Sequence, residues 1–466
     1  MKLLNNIEND FFEKTLKKSL TNKNILCGVN VSPLIRRKIK FNYLSKKDKS
    51  FKGTNFSTRN LLDILKCIHY SVSSLWDLRL LFKEKKREFV FLGFSRRIKI
   101  KEQAYMDIFH DPIIKELKSK DCLMIEKPFK FCHYQKRTTS CDILDFDFAH
   151  YTSYVLAFFL YFPLSILLGS KLKSLVKSIN DDFSSNVISR RDVIFTMSHF
   201  KVESFFARII LKMLKPKKLI VTSRWLHYPF IFEAKKMGVQ VVEIQHGCVM
   251  RNNFFYTNFD ESMFEVDYML TFSKLWNNRN WNTQSVLAIG TEHVSHVHDK
   301  VKTTNDFNEV LVVSQPELYH RLDSDIELLS TVNPTIQFRV KLHPQDISGY
   351  TSRYPKLVAR ENVTFITEKA VSIPLLLRDF NLVLGYTSSI LFEAAHFGCI
   401  VGVLTNDDEF SSNIKDYFDD LGDRFYYLNC GDVIVEKDLQ LKNDFEPLFT
   451  NISKKVVEGF FYEENN

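Results

Sequence analysis

Glycine and proline are scarce, at 14 and 12 of 466 residues. That excludes a collagen-like repeat and a Gly/Ser linker protein, which need those residues in quantity. The eight cysteines form no CxxC pair and share no zinc-finger spacing with histidine. A small disulfide scaffold and a zinc finger are therefore excluded. Most thiols lie in apolar runs such as Ile25-Leu26-Cys27 and are expected to be reduced and buried. The start, MKLLNNIENDFFEK, lacks the apolar core of a secretory signal, so a cytoplasmic protein is expected. Internal repeats and low-complexity tracts are lacking as well.

What is present is a globular composition. Hydrophobic side chains make up 45% and charged ones 26%, and phenylalanine reaches 42 residues. Single cores stop growing near about 250–300 residues, so this length implies at least two domains. Lys and Arg outnumber Asp and Glu by 64 to 55, a net +9. The excess suggests anionic partners. The basic residues are spread along the chain, with no basic stripe interleaved with aromatics, so nucleic acid is not expected.

One segment bears on localisation. Between Asp147 and Lys171 no residue is charged. The stretch is near the length of a bilayer span, but His150, Ser153 and Ser165 dilute it and Pro163 interrupts it. Lys171, Lys173 and Lys177 follow directly. A buried helical hairpin, peripheral docking to an anionic inner membrane face and a transmembrane span all remain open for residues 148–170.

The first half reads irregularly: helix over 54–87, a strand over Phe89–Phe94, the basic loop Ser95-Arg96-Arg97 and a strand over Cys122–Glu126. From residue 190 strands and helices alternate. Asp192–Met197 reads as a strand, Val202–Leu214 as a helix, Leu219–Thr222 as a strand, Tyr228–Met237 as a helix and Val239–Ile244 as a strand. Gly238 is placed as a helix C-cap. A polar linker near 291–308 precedes a second series. Strands are expected at Glu309–Ser314, Ile336–Lys341, Val363–Thr367, Leu382–Thr387, Ile400–Leu404 and Phe425–Leu428. Helices are expected at Glu317–Thr331, Ile373–Arg378 and Ser388–Phe397. Such alternation means βαβ units and a parallel sheet. The expected fold is α/β, two Rossmann-like domains facing a cleft. Residues 1–300 form the N-terminal domain, 301–440 the C-terminal one, and 441–466 a closing helix.

In open α/β sheets ligands bind outside the carboxyl ends of strands, so polar residues there are the candidates. His343, followed by Pro344, ends one strand, with Lys341 two residues back; imidazole and ammonium suit a phosphate. Thr387-Ser388-Ser389 runs from a strand into a helix, and a helix start offers backbone N–H groups and the positive end of its dipole. Gln315 and Glu317, after the first strand of the second series, and Glu393 are candidates for the nucleoside. In the N-terminal domain Gln245-His246-Gly247 ends a strand, and His246 is placed as a general base. Ser223 and Arg224 end the preceding strand and are placed at an anionic acceptor. Asp145-Phe146-Asp147 has the spacing of a metal-binding pair, but it stands just before the uncharged segment, and no metal is expected.

The order HG, then K-L-H-P, then T-S-S resembles bacterial glycosyltransferases of the GT-B fold over roughly residues 190–430. The nearest patterns are CDP-glycerol glycerophosphotransferases and the HP-motif sialyl- and Kdo-transferases. The resemblance implies donor-phosphate contacts for His343, Ser388 and Ser389 and a base role for His246. It departs after HG, where Cys248 and Val249 stand instead of threonine and proline. It implies transfer of a sugar or sugar-like group from a nucleotide donor, CMP- or CDP-linked, to a surface polysaccharide or lipid-linked glycan. Inversion without a metal or further cofactor is expected. A nucleotide-sugar epimerase on the same frame and a non-catalytic anion-binding protein are the alternatives.

Overall fold

The computed structural model describes residues 15–16, 18–20, 25–26, 28–47, 61–82, 87–93, 97–99, 104–128, 133, 136–249, 256, 263–292, 307–368, 373–406, 408–435, 439 and 445–463. Phe94, Ser95, Arg96 and most of the polar linker lie outside them, as do the ends of the segments read as helix over 54–87 and 441–466. The chain forms two compact units. One holds residues 12–246, 252–293 and 451–466, the other 1–11, 247–251 and 294–450.

The first unit is built on seven strands: β1 (Phe89–Leu92), β2 (Cys122–Glu126), β3 (Asp142–Asp145), β4 (Lys218–Thr222), β5 (Gln240–Ile244), β6 (Val266–Thr271) and β7 (Thr283–Ala288). Their order is β7-β6-β5-β4-β1-β2-β3, and every pairing is parallel. This is the 3-2-1-4-5-6 order of a Rossmann sheet with one strand added. Strands such as β1, Phe-Val-Phe-Leu, are apolar and buried at each position, because helices cover both faces of a parallel sheet.

Its main helices are α1 (Ser32–Lys47), α2 (Leu61–Asp77), α3 (Asp147–Leu167), α4 (Gly169–Asp182), α5 (Arg190–Leu214) and α6 (Tyr228–Lys236). The reading of Asp192–Met197 as a strand is wrong. These residues lie in the first turns of α5, a 25-residue helix. A capping box starts it: Ser189 Oγ accepts from the Asp192 N–H, and the Asp192 carboxylate accepts from the Ser189 N–H. A short apolar run fits helix or strand equally, and the cap decides.

The uncharged segment is α3, 21 residues long, and it is not a buried hairpin. Only 11% of its most apolar stretch is buried. The closing segment forms helix Lys454–Tyr462, which returns to the first unit, where Phe461 packs on Phe89 with ring centroids 5.1 Å apart.

The second unit has six strands: β8 (Glu309–Val313), β9 (Gln337–Lys341), β10 (Val363–Ile366), β11 (Leu382–Gly385), β12 (Ile400–Thr405) and β13 (Tyr426–Asn429). All are parallel, in the order β10-β9-β8-β11-β12-β13, again 3-2-1-4-5-6. α7 (Tyr319–Val332), which follows β8, and α8 (Ser389–His396), which follows β11, are its principal helices for the site. Each unit is thus an α/β Rossmann-like fold with its own topological switch point. Among the described residues, Cys67, Cys122, Cys141, Cys248, Cys399 and Cys430 form no disulfide.

Candidate functional site

In the second unit the switch point lies between β8 and β11, so the residues leaving those strands form its crevice. The strands approach closely there: a Cβ on Gly385 would stand 2.6 Å from Val313 Cγ2. Gln315, after β8, and Thr387, after β11, bind each other. Gln315 Nε2 donates to Thr387 Oγ1 at 3.0 Å, and the Thr387 N–H donates to Gln315 Oε1 at 2.9 Å. Gln315, expected to read a nucleoside, thereby braces the loop that carries the serines.

Ser388 is extended and caps α8; its Oγ accepts from the Ile390 N–H at 3.4 Å. Ser389, in the first turn, is exposed, and Glu393 is buried further along the helix. Glu317 falls in the turn Pro316–Leu318, and its side chain lies outside the described residues.

His343 leaves β9, the strand next to β8. It is exposed, and its Nδ1 accepts from the Gln345 N–H at 3.2 Å. In the neutral ring that places the proton on Nε2, a donor. Its own N–H donates to Ser314 Oγ at 2.8 Å, and Ser314 Oγ donates to Asp346 Oδ2 at 3.2 Å. Asp346 is fully buried and also accepts from Tyr354 Oη at 3.2 Å and from Arg353 Nη1. Asp346, Arg353 and Tyr354 went unnoticed in the sequence, and Ser314 was read only as a strand end; together they fix the His343 loop. Lys341 does not join His343. It is buried, its Nζ donates to the Glu368 carbonyl at 2.9 Å, and burial lowers its pKa.

In the first unit Arg224 is not available to an acceptor. It is buried, its Nε binds Glu243, and its Nη1 and Nη2 donate to the Asn282 and Trp281 carbonyls at 3.0 Å each. Burial opposes its charge, but Glu243, Tyr256 and Tyr228 together outweigh that and raise its pKa. Ser223 is buried as well, in a left-handed turn with φ 59°. His246 follows β5, half-buried, with its ring 5.2 Å from that of Trp225.

The densest chemistry of this unit stands at the ends of β1, β2 and β3. Arg97 donates to Asp107 at 3.1 Å and to Glu126 at 2.8 Å, and Arg137 also binds Glu126. His133 bridges two carboxylates, with Nε2 2.6 Å from Asp147 and Nδ1 3.2 Å from Asp145. Asp107 holds His110 Nδ1 at 2.9 Å, and His110 Nε2 meets Thr222 Oγ1, at the end of β4, at 3.0 Å. Burial opposes the charge of His133, but Asp147, Glu126 and Asp145 outweigh it and raise its pKa to about 10. Burial and the neighbouring acids Asp147, Asp77 and Glu126, against His133, push Asp145 up to about 6. Asp145 therefore keeps its proton to a higher pH than an ordinary carboxyl. Its one trace in the sequence was the Asp145-x-Asp147 spacing just before the uncharged segment.

Glu126, His133 and Asp145 are close enough to hold a metal ion, and so are His150, His199 and Glu203. In both sets protein cations already occupy the carboxylate: Arg97 and Arg137 on Glu126, Lys127 on Glu203.

No family model matches the chain, and no curated protein matches it in sequence. Among solved structures it is similar to the UDP-GlcNAc 2-epimerase of Methanocaldococcus jannaschii, at 13% identity and TM-score 0.44, over 80% of this chain and 99% of that one. It is similar to MurG of Acinetobacter baumannii at 10% identity and TM-score 0.38, over 74% and 86% of the two chains. The glycotransferase of kitacinnamycin is similar at 10% identity and TM-score 0.39, again over 74% and 86%.

Proposed function

We propose that the chain is a glycosyltransferase that uses a nucleotide-activated donor. The observation that carries this reading is the switch point of the second unit. There Ser388 caps α8, Ser389 is exposed in its first turn, and His343 presents Nε2 from the neighbouring strand end. Hydroxyls, an imidazole donor and a helix start together suit the phosphate of a leaving nucleotide.

In this reading an acceptor hydroxyl attacks the anomeric carbon, its C–O bond to phosphate breaks, and the configuration inverts. The nucleotide departs with the bonding pair, and its charge is offset by His343, Ser388 and Ser389. The hydroxyl proton goes to a base, for which His246 and Asp145 are the candidates. Asp145→Asn and His246→Gln separate them: the base variant loses transfer but keeps nucleotide binding. A cytidine nucleotide is the proposed carrier, and a surface polysaccharide or lipid-linked glycan the acceptor.

Thermal unfolding with CMP, CDP, UDP and GDP tests this. A ligand of the native state raises the melting point by mass action. The largest rise is expected with a cytidine nucleotide, and it should vanish in His343→Ala and Ser388→Ala. No shift with any nucleotide would overturn the reading. Conversion of a nucleotide sugar without an acceptor would assign an epimerase instead.

A further inference from the structure

α3 begins as an ordinary packed helix. Its buried residues, Asp147, Ala149, Ser153 and Ala157, all lie in its first half. Small side chains at 149, 153 and 157 recur every fourth position on one face, where Tyr154 also meets His199 of α5 at 4.2 Å between ring centroids. From Phe158 to Leu167 no residue is buried. Phe158, Phe159, Phe162, Ile166 and Leu167 are 67%, 68%, 70%, 67% and 73% exposed.

The apolar surface continues onto the neighbouring helices. The Phe148 N–H donates to Ser74 Oγ of α2 at 3.0 Å. α2 exposes Leu65, Ile68, Val72 and Trp76, which repeat at helical spacing on one side. On α5 the exposed Phe205 adjoins Phe206, whose ring is 6.2 Å from that of Phe148. Soluble monomers rarely expose contiguous apolar patches beyond a few hundred Å². Beyond Leu168, α4 carries Lys171, Lys173 and Lys177, all exposed.

We infer that this face of the first unit docks into the surface of an anionic lipid bilayer. The distal half of α3 enters one leaflet, and the α4 lysines rest on the headgroups. Length decides against a span. About ten residues at about 1.5 Å each reach about 15 Å, half of a hydrocarbon core of about 30 Å. Charge decides against a second copy: a symmetric partner would bring the same lysines together, whereas anionic headgroups complement them. Trp76, an amphipathic ring on the exposed surface, suits the interface. The inference concerns the first unit alone and does not rest on the transferase reading.

The test is sedimentation of the full chain with vesicles of phosphatidylcholine, with or without about one third phosphatidylglycerol. Binding is expected to the anionic vesicles and to weaken in high salt. Phe158→Ser, Phe159→Ser and Phe162→Ser combined should abolish it with the circular dichroism and melting point unchanged, since none of the three is a core residue. Lys171→Gln, Lys173→Gln and Lys177→Gln combined should weaken it by about a hundredfold, about fivefold per lysine, on anionic vesicles only. Three results would overturn the inference. One is wild-type protein that ignores anionic vesicles. Another is protein that resists alkaline carbonate extraction, which marks a span. The third is a dimer that the phenylalanine variant dissociates while vesicles have no effect.

Discussion

Replacing Asp346 by alanine offers the most direct check on how the His343 loop is held. The carboxylate is fully buried and receives Ser314 Oγ and Tyr354 Oη at 3.2 Å each, as well as the Arg353 guanidinium. A hydrogen bond to a charged group contributes about 1.5–3 kcal/mol. Arg353 is 29% exposed, so it turns to water and its share is screened. The two hydroxyls are left without their acceptor, and the losses overlap because they share one group. The expected loss is about 3–5 kcal/mol, carried mainly by the two hydroxyls. Asp346→Asn keeps the shape and one acceptor oxygen and should lose about half as much. Urea unfolding of the second unit's transition measures both. Ser314 also loses its anchor, so the His343 loop should loosen and nucleotide-induced stabilisation should fall. A loss below about 1 kcal/mol in both variants would refute the hub.

Arg224→Ala leaves Glu243 buried without its guanidinium and should destabilise the first unit by about 3–5 kcal/mol in denaturant unfolding; a loss under about 1 kcal/mol would restore Arg224 as a candidate for ligand contact. Gly290 has φ +93° and a Cβ there would overlap the backbone of Asn451 and Ile452. Gly290→Ala should therefore cost about 2–4 kcal/mol and release the closing segment to limited proteolysis; an unchanged digestion pattern contradicts that. The raised pKa of His133, about 10 against an ordinary 6.5, means its stabilisation is fully present below pH 6.5 and is lost as the pH rises through 10. Asp145, raised from 3.8 to about 6, makes the first unit lose stability as the pH climbs between those values. The stability gap between wild type and His133→Gln, followed by unfolding across that range, should close toward pH 10; a gap independent of pH would show that His133 is not held as an imidazolium.

The second unit was largely legible in its sequence. Its strands carry continuous apolar runs, as at Val310–Val313 and Ile400–Leu404. Ser388 marks the start of α8 by a local capping rule, and Gly398, with φ +75°, marks its end. The first unit was less so, because local signals compete there. The apolar run in Asp192–Met197 has no period long enough to separate strand from helix, and the Ser189–Asp192 box settled it.

Sequence alone placed His343, Ser388 and Ser389 at strand ends, since strand ends are set by local pattern. It also marked the uncharged stretch before Lys171 by composition. Tertiary structure decided which of these polar groups is spent within the fold. Arg224 and Gln315 find partners from distant segments, Lys341 is turned to Glu368, and Asp145 joins His133, Glu126 and Asp147. Composition cannot say whether an apolar helix is covered. Only the packing of α3 shows that its distal half is bare. The physical reason is the same throughout: periodicity and capping act within a few residues, whereas burial, ion pairing and shifted pKa values depend on neighbours that only the folded chain brings together.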